Sequence, residues 1–202
     1  MAKAQTEKQQ RFMTLFQPAQ PRLQRFVSAM TRDAERAKDI IGETILIAFQ
    51  RLETLRHDEA FLSFLFTIAT RVARGRMHTG RTIDIDTLEA ERLPDPGIPA
   101  DVAVDIGRLH DALQRLPEKQ REAVLLFELA GFSTAEVRDI QGGTLVAVRV
   151  RIARGRKRLA KLMGVDAPAP ATVARGGTID HTEAPALAAI PTELGTEIGI
   201  HR

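Results

Sequence analysis

Two helix-start signals lie close together in the second half of the chain, and a pair of glycines separates them. Ser133 followed by Glu136 is the pattern of a capping box, in which each side chain bonds a backbone N–H group at the start of the helix. Gly142 and Gly143 should end that helix, because glycine adopts the positive φ angles that a tight turn needs. Thr144 can cap a second helix directly afterwards. The stretch therefore predicts two helices joined by a tight turn, which is the plan of a helix-turn-helix.

The second of these helices combines one apolar stripe with a basic remainder. The stripe consists of Leu145, Val148, Ile152, Leu159 and Leu162, with Gly155 in the middle where another backbone could approach closely. The charged residues off this stripe are all basic: Arg149, Arg151, Arg154, Arg156, Lys157, Arg158 and Lys161. Basic runs on helices are usually solvated faces. Here, however, no acidic residue lies between residues 141 and 165, so ion pairs within the helix cannot account for the arginines. We interpret the helix as one that enters the major groove of DNA.

The composition excludes several classes of chemistry. None of the 202 residues is a cysteine, which rules out disulfides, thiolate catalysis and zinc sites built on cysteine. The histidines are scattered without the spacing of metal ligands, and no glycine-rich phosphate loop is present. We therefore expect no catalytic residue, no cofactor, no metal and no enzymatic activity. The chain has no apolar run of roughly 18 residues and no signal-like N-terminus, so we expect a cytoplasmic protein that makes no contact with membranes.

The distribution of charge and proline divides the chain into four segments. We predict a helical domain at residues 8–81, an acidic linker with prolines at 82–105, a second helical domain with the helix-turn-helix at 106–163, and a disordered segment at 164–202. The expected fold class is all-α, with two small helical domains joined by a flexible linker. The acidity of the linker has two interpretations: it adds solubility, or it occupies a cationic channel of a partner.

The first domain is predicted to consist of amphipathic helices. The expected helix break lies near Pro18 and Pro21, and the expected N-caps of the two later helices are Asp33 and Asp58. The last helix ends in a basic stretch made of Arg71, Arg74, Arg76, His78 and Arg81. Spacing alone leaves two interpretations of this stretch open: a solvated face that suits the helix dipole, or a second nucleic-acid surface.

Together these features resemble the extracytoplasmic-function sigma factors, the two-domain promoter-recognition subunits of bacterial RNA polymerase. The segment AKDIIGETILIAFQRLETLRHDEAFLSFLFTIATRVARGR is similar to the family's region 2, and LPEKQREAVLLFELAGFSTAEVRDIQGGTLVAVRVRIARGRKRL is similar to its region 4. The resemblance covers roughly Leu15 to Leu162. It implies a sigma factor that binds core RNA polymerase and directs promoter recognition and transcription initiation, while nucleotide polymerisation belongs to the polymerase.

The resemblance implies roles for three sets of residues. Contacts to core polymerase would be made by Asp39, Gly42 and Glu43. Contacts to the −10 element would be made by the Leu55–Phe61 loop and the following helix, through Phe61, Phe64, Arg71, Arg74 and Arg76. Contacts to the −35 element would be made by Arg149, Val150, Arg151, Ala153, Arg154 and Arg156. The implied partners are core RNA polymerase, promoter DNA and an anti-sigma factor.

The chain departs from the family's pattern at several positions. Gly42 replaces Gln, Arg71 replaces Asn and Val150 replaces Ser, and the remaining departures are Phe64, Gly75, Arg138, Val146 and Ala147. Because the chain has no Tyr and no Trp, it offers only phenylalanine for stacking on bases. These departures leave an alternative open, namely a sigma-like DNA-binding regulator or adaptor that has lost initiation activity.

Overall fold

The computed structural model describes residues 2–31, 33–79 and 100–165, and these residues form eight α-helices and no strand. The helices are α1 (Ala2–Phe16), α2 (Gln20–Met30), α3 (Ala34–Gln50), α4 (Phe61–Thr79), α5 (Ala100–Gln114), α6 (Glu118–Val124), α7 (Thr134–Gln141) and α8 (Leu145–Met163). Two short 3₁₀ turns, Leu52–Thr54 and Asp58–Ala60, connect α3 to α4, and a π-helical turn, Leu125–Leu129, continues α6. The predicted all-α class is confirmed. No helix in the described ranges is long and apolar enough to cross a membrane.

Parts of three predicted segments lie outside the described residues. These parts are 32 and 80–81 of the first helical domain, 82–99 of the acidic linker and 166–202 of the segment predicted to be disordered. Residues 100–105, predicted as linker, belong instead to α5, because Val102, Ile106 and Leu109 share one helical spacing that continues into the second half of the chain. The first helix also begins earlier than predicted, at Ala2.

Helices α1, α3 and α4 meet in an aromatic cluster. The ring of Phe12 stacks on Phe16 at 5.4 Å and meets Phe49 and Phe61 edge-on at 5.4 and 5.8 Å. The predicted break between α1 and α2 is confirmed, with Pro21 in the first turn of α2, where a missing N–H group costs little. This cluster places the turn before α4 directly against α1.

One predicted helix cap is confirmed and the other is wrong. The carboxylate of Asp33 accepts the backbone N–H groups of Glu35 and Arg36 at 2.9 and 3.1 Å and so caps α3. Asp58 instead lies inside a 3₁₀ turn and accepts two hydrogen bonds from the guanidinium of Arg11, at 3.0 and 2.6 Å. Arg11 lies on α1, and its guanidinium adds a positive charge opposite the carboxylate, which the backbone N–H groups of a helix start do not carry.

The helix-turn-helix is confirmed in its local details. Ser133 and Glu136 form the reciprocal capping box, with the Ser133 N–H donating to Glu136 at 2.8 Å. The chain then turns through Gly142 and Gly143, whose φ angles are +77° and +98°. Thr144 accepts the N–H of Ala147 at 3.1 Å and caps α8. Each of these features depends only on residues a few positions apart.

The two halves of the described chain pack against each other and share one apolar core. Phe66 of α4 meets Phe132, which precedes α7, edge-on at 4.9 Å, and both rings are buried. Arg22 of α2 lies over the Phe132 ring at 5.6 Å and donates to the carbonyl of Ala130. Burial lowers the pKa of Arg22, and the nearby Glu136 carboxylate opposes that shift. Helices predicted as two domains therefore lie in direct contact.

Candidate nucleic-acid and polymerase interfaces

Helix α8 turns one side to the protein and the other to solvent. Val148, Ile152 and Gly155 are buried, with α6 packed along that side. A Cβ atom on Gly155 would lie 2.5 Å from Val124 Cγ2, so the predicted close approach is confirmed. The prediction that Leu162 belongs to the buried stripe is wrong, because in the last turns the packed side passes to Ala160 and Met163.

The solvent side of α8 is the surface best suited to DNA, and we call it the α8 ridge. It comprises Val146, Arg149, Val150, Ala153 and Arg154, and it continues into Lys157, Arg158 and Lys161, all of them exposed. Four of the six residues implied for the −35 element therefore lie on one open surface. The ridge contains no acidic residue, which gives it the charge that a phosphate backbone attracts.

The other two implied −35 residues are engaged inside the protein. Arg151 donates to the Gln141 side chain and to the Gly142 carbonyl, both at 3.3 Å, and so stabilises the tight turn. Arg156 pairs with Glu128 and lies 5.1 Å over the Phe127 ring. The sequence correctly excluded an acidic partner within α8 but missed Glu128, which comes from the π-helical turn after α6.

The three arginines implied for the −10 element at the basic end of α4 differ in exposure and pairing: Arg71 and Arg76 are exposed, and Arg74 and Arg76 form ion pairs. Arg74 donates to both carboxylate oxygens of Glu122 on α6, at 2.9 and 2.6 Å. Arg76 donates twice to Glu43 on α3, at 2.9 and 2.7 Å, and lies 3.5 Å from Asp39. The hydrogen bonds that Arg76 donates to Glu43, with the charges of Glu43 and Asp39, raise the pKa of Arg76. Arg81 lies outside the described residues.

The two aromatic residues implied for the −10 element differ in access. Phe61 is buried in the aromatic cluster of α1, α3 and α4 and serves packing in this conformation. Phe64, one turn later on α4, is half-buried with its ring centre 6.3 Å from that of Phe61. Phe64 is thus the one of the two with a ring that reaches the surface.

An acidic face on α3 carries the residues implied for polymerase binding. Asp39 and Gly42 are exposed and Glu43 is half-exposed, and a Cβ atom at Gly42 would meet nothing within 4 Å. Leu46, one turn further along the same face, is 56% exposed. Sequence reasoning missed Leu46, although its spacing of three from Glu43 and seven from Asp39 places all three on one face.

Comparison with known proteins identifies both halves of the chain. Residues 15–81 match the family described as Sigma-70 region 2, and residues 106–159 match Sigma-70, region 4. The RNA polymerase sigma factor CarQ of Myxococcus xanthus is 32% identical over 158 residues, which cover 77% of this chain and 91% of CarQ. The ECF RNA polymerase sigma factor EcfG of Rhodopseudomonas palustris is 31% identical over 151 residues, which cover 73% of this chain and 82% of EcfG.

Two further proteins extend the comparison. The ECF RNA polymerase sigma factor SigM of Mycobacterium tuberculosis is 30% identical over 154 residues, covering 76% of this chain and 77% of SigM. Among solved structures, the sigma factor RpoE in complex with the anti-sigma factor NepR from Bartonella quintana superposes with a TM-score of 0.61 at 24% identity. The match covers 73% of this chain and 93% of the matched chain in that structure. At that identity the structural match establishes the fold.

Proposed function

This chain belongs to the extracytoplasmic-function sigma factors, which direct transcription initiation by RNA polymerase, and we propose that three of its surfaces divide that task. In this proposal the α8 ridge contacts the −35 element, the basic end of α4 contacts the −10 element, and the acidic face of α3 contacts core polymerase. The observation that carries the proposal is the exposed basic ridge on the second helix of a capped helix-turn-helix.

The α8 ridge has the shape and charge for the major groove. The groove of B-DNA admits one α-helix, and arginine can donate two hydrogen bonds to a guanine edge or to phosphate oxygens. Arg149 and Arg154 are exposed, which leaves their guanidinium groups accessible to such contacts. Arg151 and Arg156 act differently in this proposal: they hold the turn and the π-helical segment in place, so they position the ridge.

Two arginines at the basic end of α4 differ in when they can contact the −10 element: Arg71 in the conformation described, and Arg74 only after its ion pair opens. Arg71 is exposed and can meet the DNA in the conformation described. Arg74 is held by Glu122 from the other half of the chain, and its guanidinium cannot serve a phosphate while both of its bonds to that carboxylate persist. Contact through Arg74 therefore requires the two halves to separate, as binding to two separate promoter elements would also require.

The face of α3 supports a polymerase contact that is both charged and apolar. Asp39 and Glu43 supply negative charge, and Leu46 adds exposed apolar area one turn away. A few residues usually carry most of the binding free energy of an interface, while charges steer the encounter and set its orientation. The complementary polymerase surface is therefore basic, with an apolar patch opposite Leu46.

The remaining parts of the proposal concern partners and location. The neighbouring solved structure holds a sigma factor bound by an anti-sigma factor, and we propose that a protein of that class also holds this chain. The place of action is the cytoplasm, where core polymerase and promoter DNA are found. The chain's own task is recognition, and nucleotide polymerisation belongs to the polymerase.

The test is reconstitution of the full chain with core RNA polymerase, followed by run-off transcription and sequencing of the bound DNA. The double variant Asp39→Ala/Glu43→Ala should lose polymerase binding and transcription. The matched control is Glu35→Ala, which removes another exposed carboxylate of α3, one that pairs with Lys38 at 2.8 Å in the first turn. Unchanged polymerase affinity in the double variant would refute the assignment of the α3 face. A holoenzyme that transcribes no promoter from a genomic pool would refute the proposed function.

A further inference from the structure

We infer that Val146 and Val150 on the α8 ridge read the methyl groups of thymine, so that this chain selects A·T pairs beside the base pair contacted by Arg149. The inference rests on the proposed contact between α8 and the −35 element. It adds Val146 as a residue that determines specificity.

The two valines are exposed to an extent that the fold does not require. Val146 is 68% exposed and Val150 is 39% exposed, and neither belongs to the apolar core or packs against it. Valine has a lower helix propensity than alanine or the basic residues around it, because its branched Cβ restricts the side chain against the preceding turn. Neither core packing nor helix formation therefore accounts for valine at these two positions.

The valines occupy the centre of the surface that would face the bases. At about 100° per residue, Val146, Val150 and Ala153 fall within an arc of about 60° on α8. Arg149 lies on one side of this apolar strip and Arg154 on the other. Single exposed apolar residues are ordinary on protein surfaces. Here two valines and an alanine form a continuous strip between two arginines, on the side of a DNA-binding helix turned away from the protein.

The chemistry of the major groove restricts what such a strip can recognise. Thymine alone presents a methyl group there, beside its O4 acceptor, whereas the other bases present hydrogen-bond donors and acceptors that a valine cannot satisfy. Placing a valine against the amino group of cytosine would leave that donor without a partner at a site closed to water. The strip therefore favours thymine methyls, and the flanking arginines remain free to contact guanine or phosphate.

The test uses a substitution that changes only the methyl group. The −35 site is first defined by sequencing DNA bound by the holoenzyme, and each thymine in it is then replaced by deoxyuridine. Burial of one methyl group predicts that affinity falls about three- to fivefold at one or two positions. In Val146→Ala and Val150→Ala the loss caused by the corresponding deoxyuridine should disappear. The matched control Val104→Ala, at an exposed valine of α5, should retain the full deoxyuridine effect.

The outcomes separate this inference from the proposed function. If the holoenzyme binds the selected site through the α8 ridge and deoxyuridine has no effect at any position, the thymine reading is refuted and the sigma function stands. If the deoxyuridine effect persists in both valine variants, the methyl is read elsewhere and the assignment to Val146 and Val150 is refuted. If binding does not depend on any upstream element, the α8 assignment fails, and this inference fails with it.

Discussion

The guanidinium of Arg74, on α4, holds both oxygens of the Glu122 carboxylate, on α6, through hydrogen bonds of 2.9 and 2.6 Å. The Glu122 side chain is 0% exposed and that of Arg74 is 30% exposed. This ion pair joins the two halves of the chain, as does the buried contact of Phe66 with Phe132. An arginine implied for promoter contact is thus engaged by the half of the chain that carries the helix-turn-helix.

The unequal burial of this pair predicts unequal mutational effects on stability. Arg74→Ala leaves a carboxylate inside the protein without the two hydrogen bonds from Arg74, and it should cost roughly 3 kcal/mol in the free energy of unfolding. Glu122→Gln removes the buried charge and leaves Arg74 able to reach water, so it should cost about 1 kcal/mol. Urea unfolding of the full chain measures both. Equal losses, or a larger loss in Glu122→Gln, would contradict the burial described.

The same pair predicts a gain in DNA affinity. Glu122→Gln weakens the hold on Arg74, so the free chain should bind a single-stranded oligonucleotide carrying the −10 sequence more tightly, by up to about tenfold. The double variant Arg74→Ala/Glu122→Gln should show no such gain, because the released arginine is missing. Fluorescence anisotropy provides the affinities. An equal gain in the double variant would attribute the effect to general loosening of the protein.

The packing of Gly155 predicts a steric effect that a second glycine controls. A Cβ atom at position 155 would lie 2.5 Å from Val124 Cγ2 and 3.2 Å from the Gln120 carbonyl. Gly155→Ala should therefore destabilise the chain by about 1–3 kcal/mol and weaken binding to the −35 element. Gly107→Ala, on α5, meets nothing within 4 Å and should be neutral or stabilising by up to about 1 kcal/mol. Thermal unfolding gives the melting temperatures of both variants. Similar melting temperatures would contradict the close approach of α6 and α8.

The α8 ridge predicts two classes of DNA contact. Arg149→Ala should cost about 1–3 kcal/mol in binding to the −35 element and should relax base preference, if its guanidinium contacts a base. Lys157→Ala should weaken binding to all sequences equally and lower the slope of log K against log salt by about 1. Holoenzyme titrations at several salt concentrations, with matched and mismatched sites, separate the two. A uniform loss with a reduced slope in Arg149→Ala would make Arg149 a phosphate contact.

Local sequence determined the parts of this protein that depend on near neighbours. The capping box at Ser133, the glycine turn, the Thr144 cap and the Asp33 cap all join groups within four residues of each other, and all four are present. The basic character of α8 could likewise be predicted, because charge and spacing along one helix do not depend on how helices pack. The two-part sigma organisation could be predicted from the resemblance of two segments to a known family.

Tertiary structure alone decided which arginines are open to DNA. Arg74 and Glu122 are 48 residues apart, Arg156 and Glu128 are 28 apart, and Arg11 and Asp58 are 47 apart. No periodicity along the chain predicts these partners, because they meet only after helices pack at angles set by the apolar core. An arginine on the outside of an isolated helix can therefore contact DNA, stabilise a neighbouring turn or form an ion pair between the two halves. Which of these it does depends on the groups that the packing of the helices brings beside it.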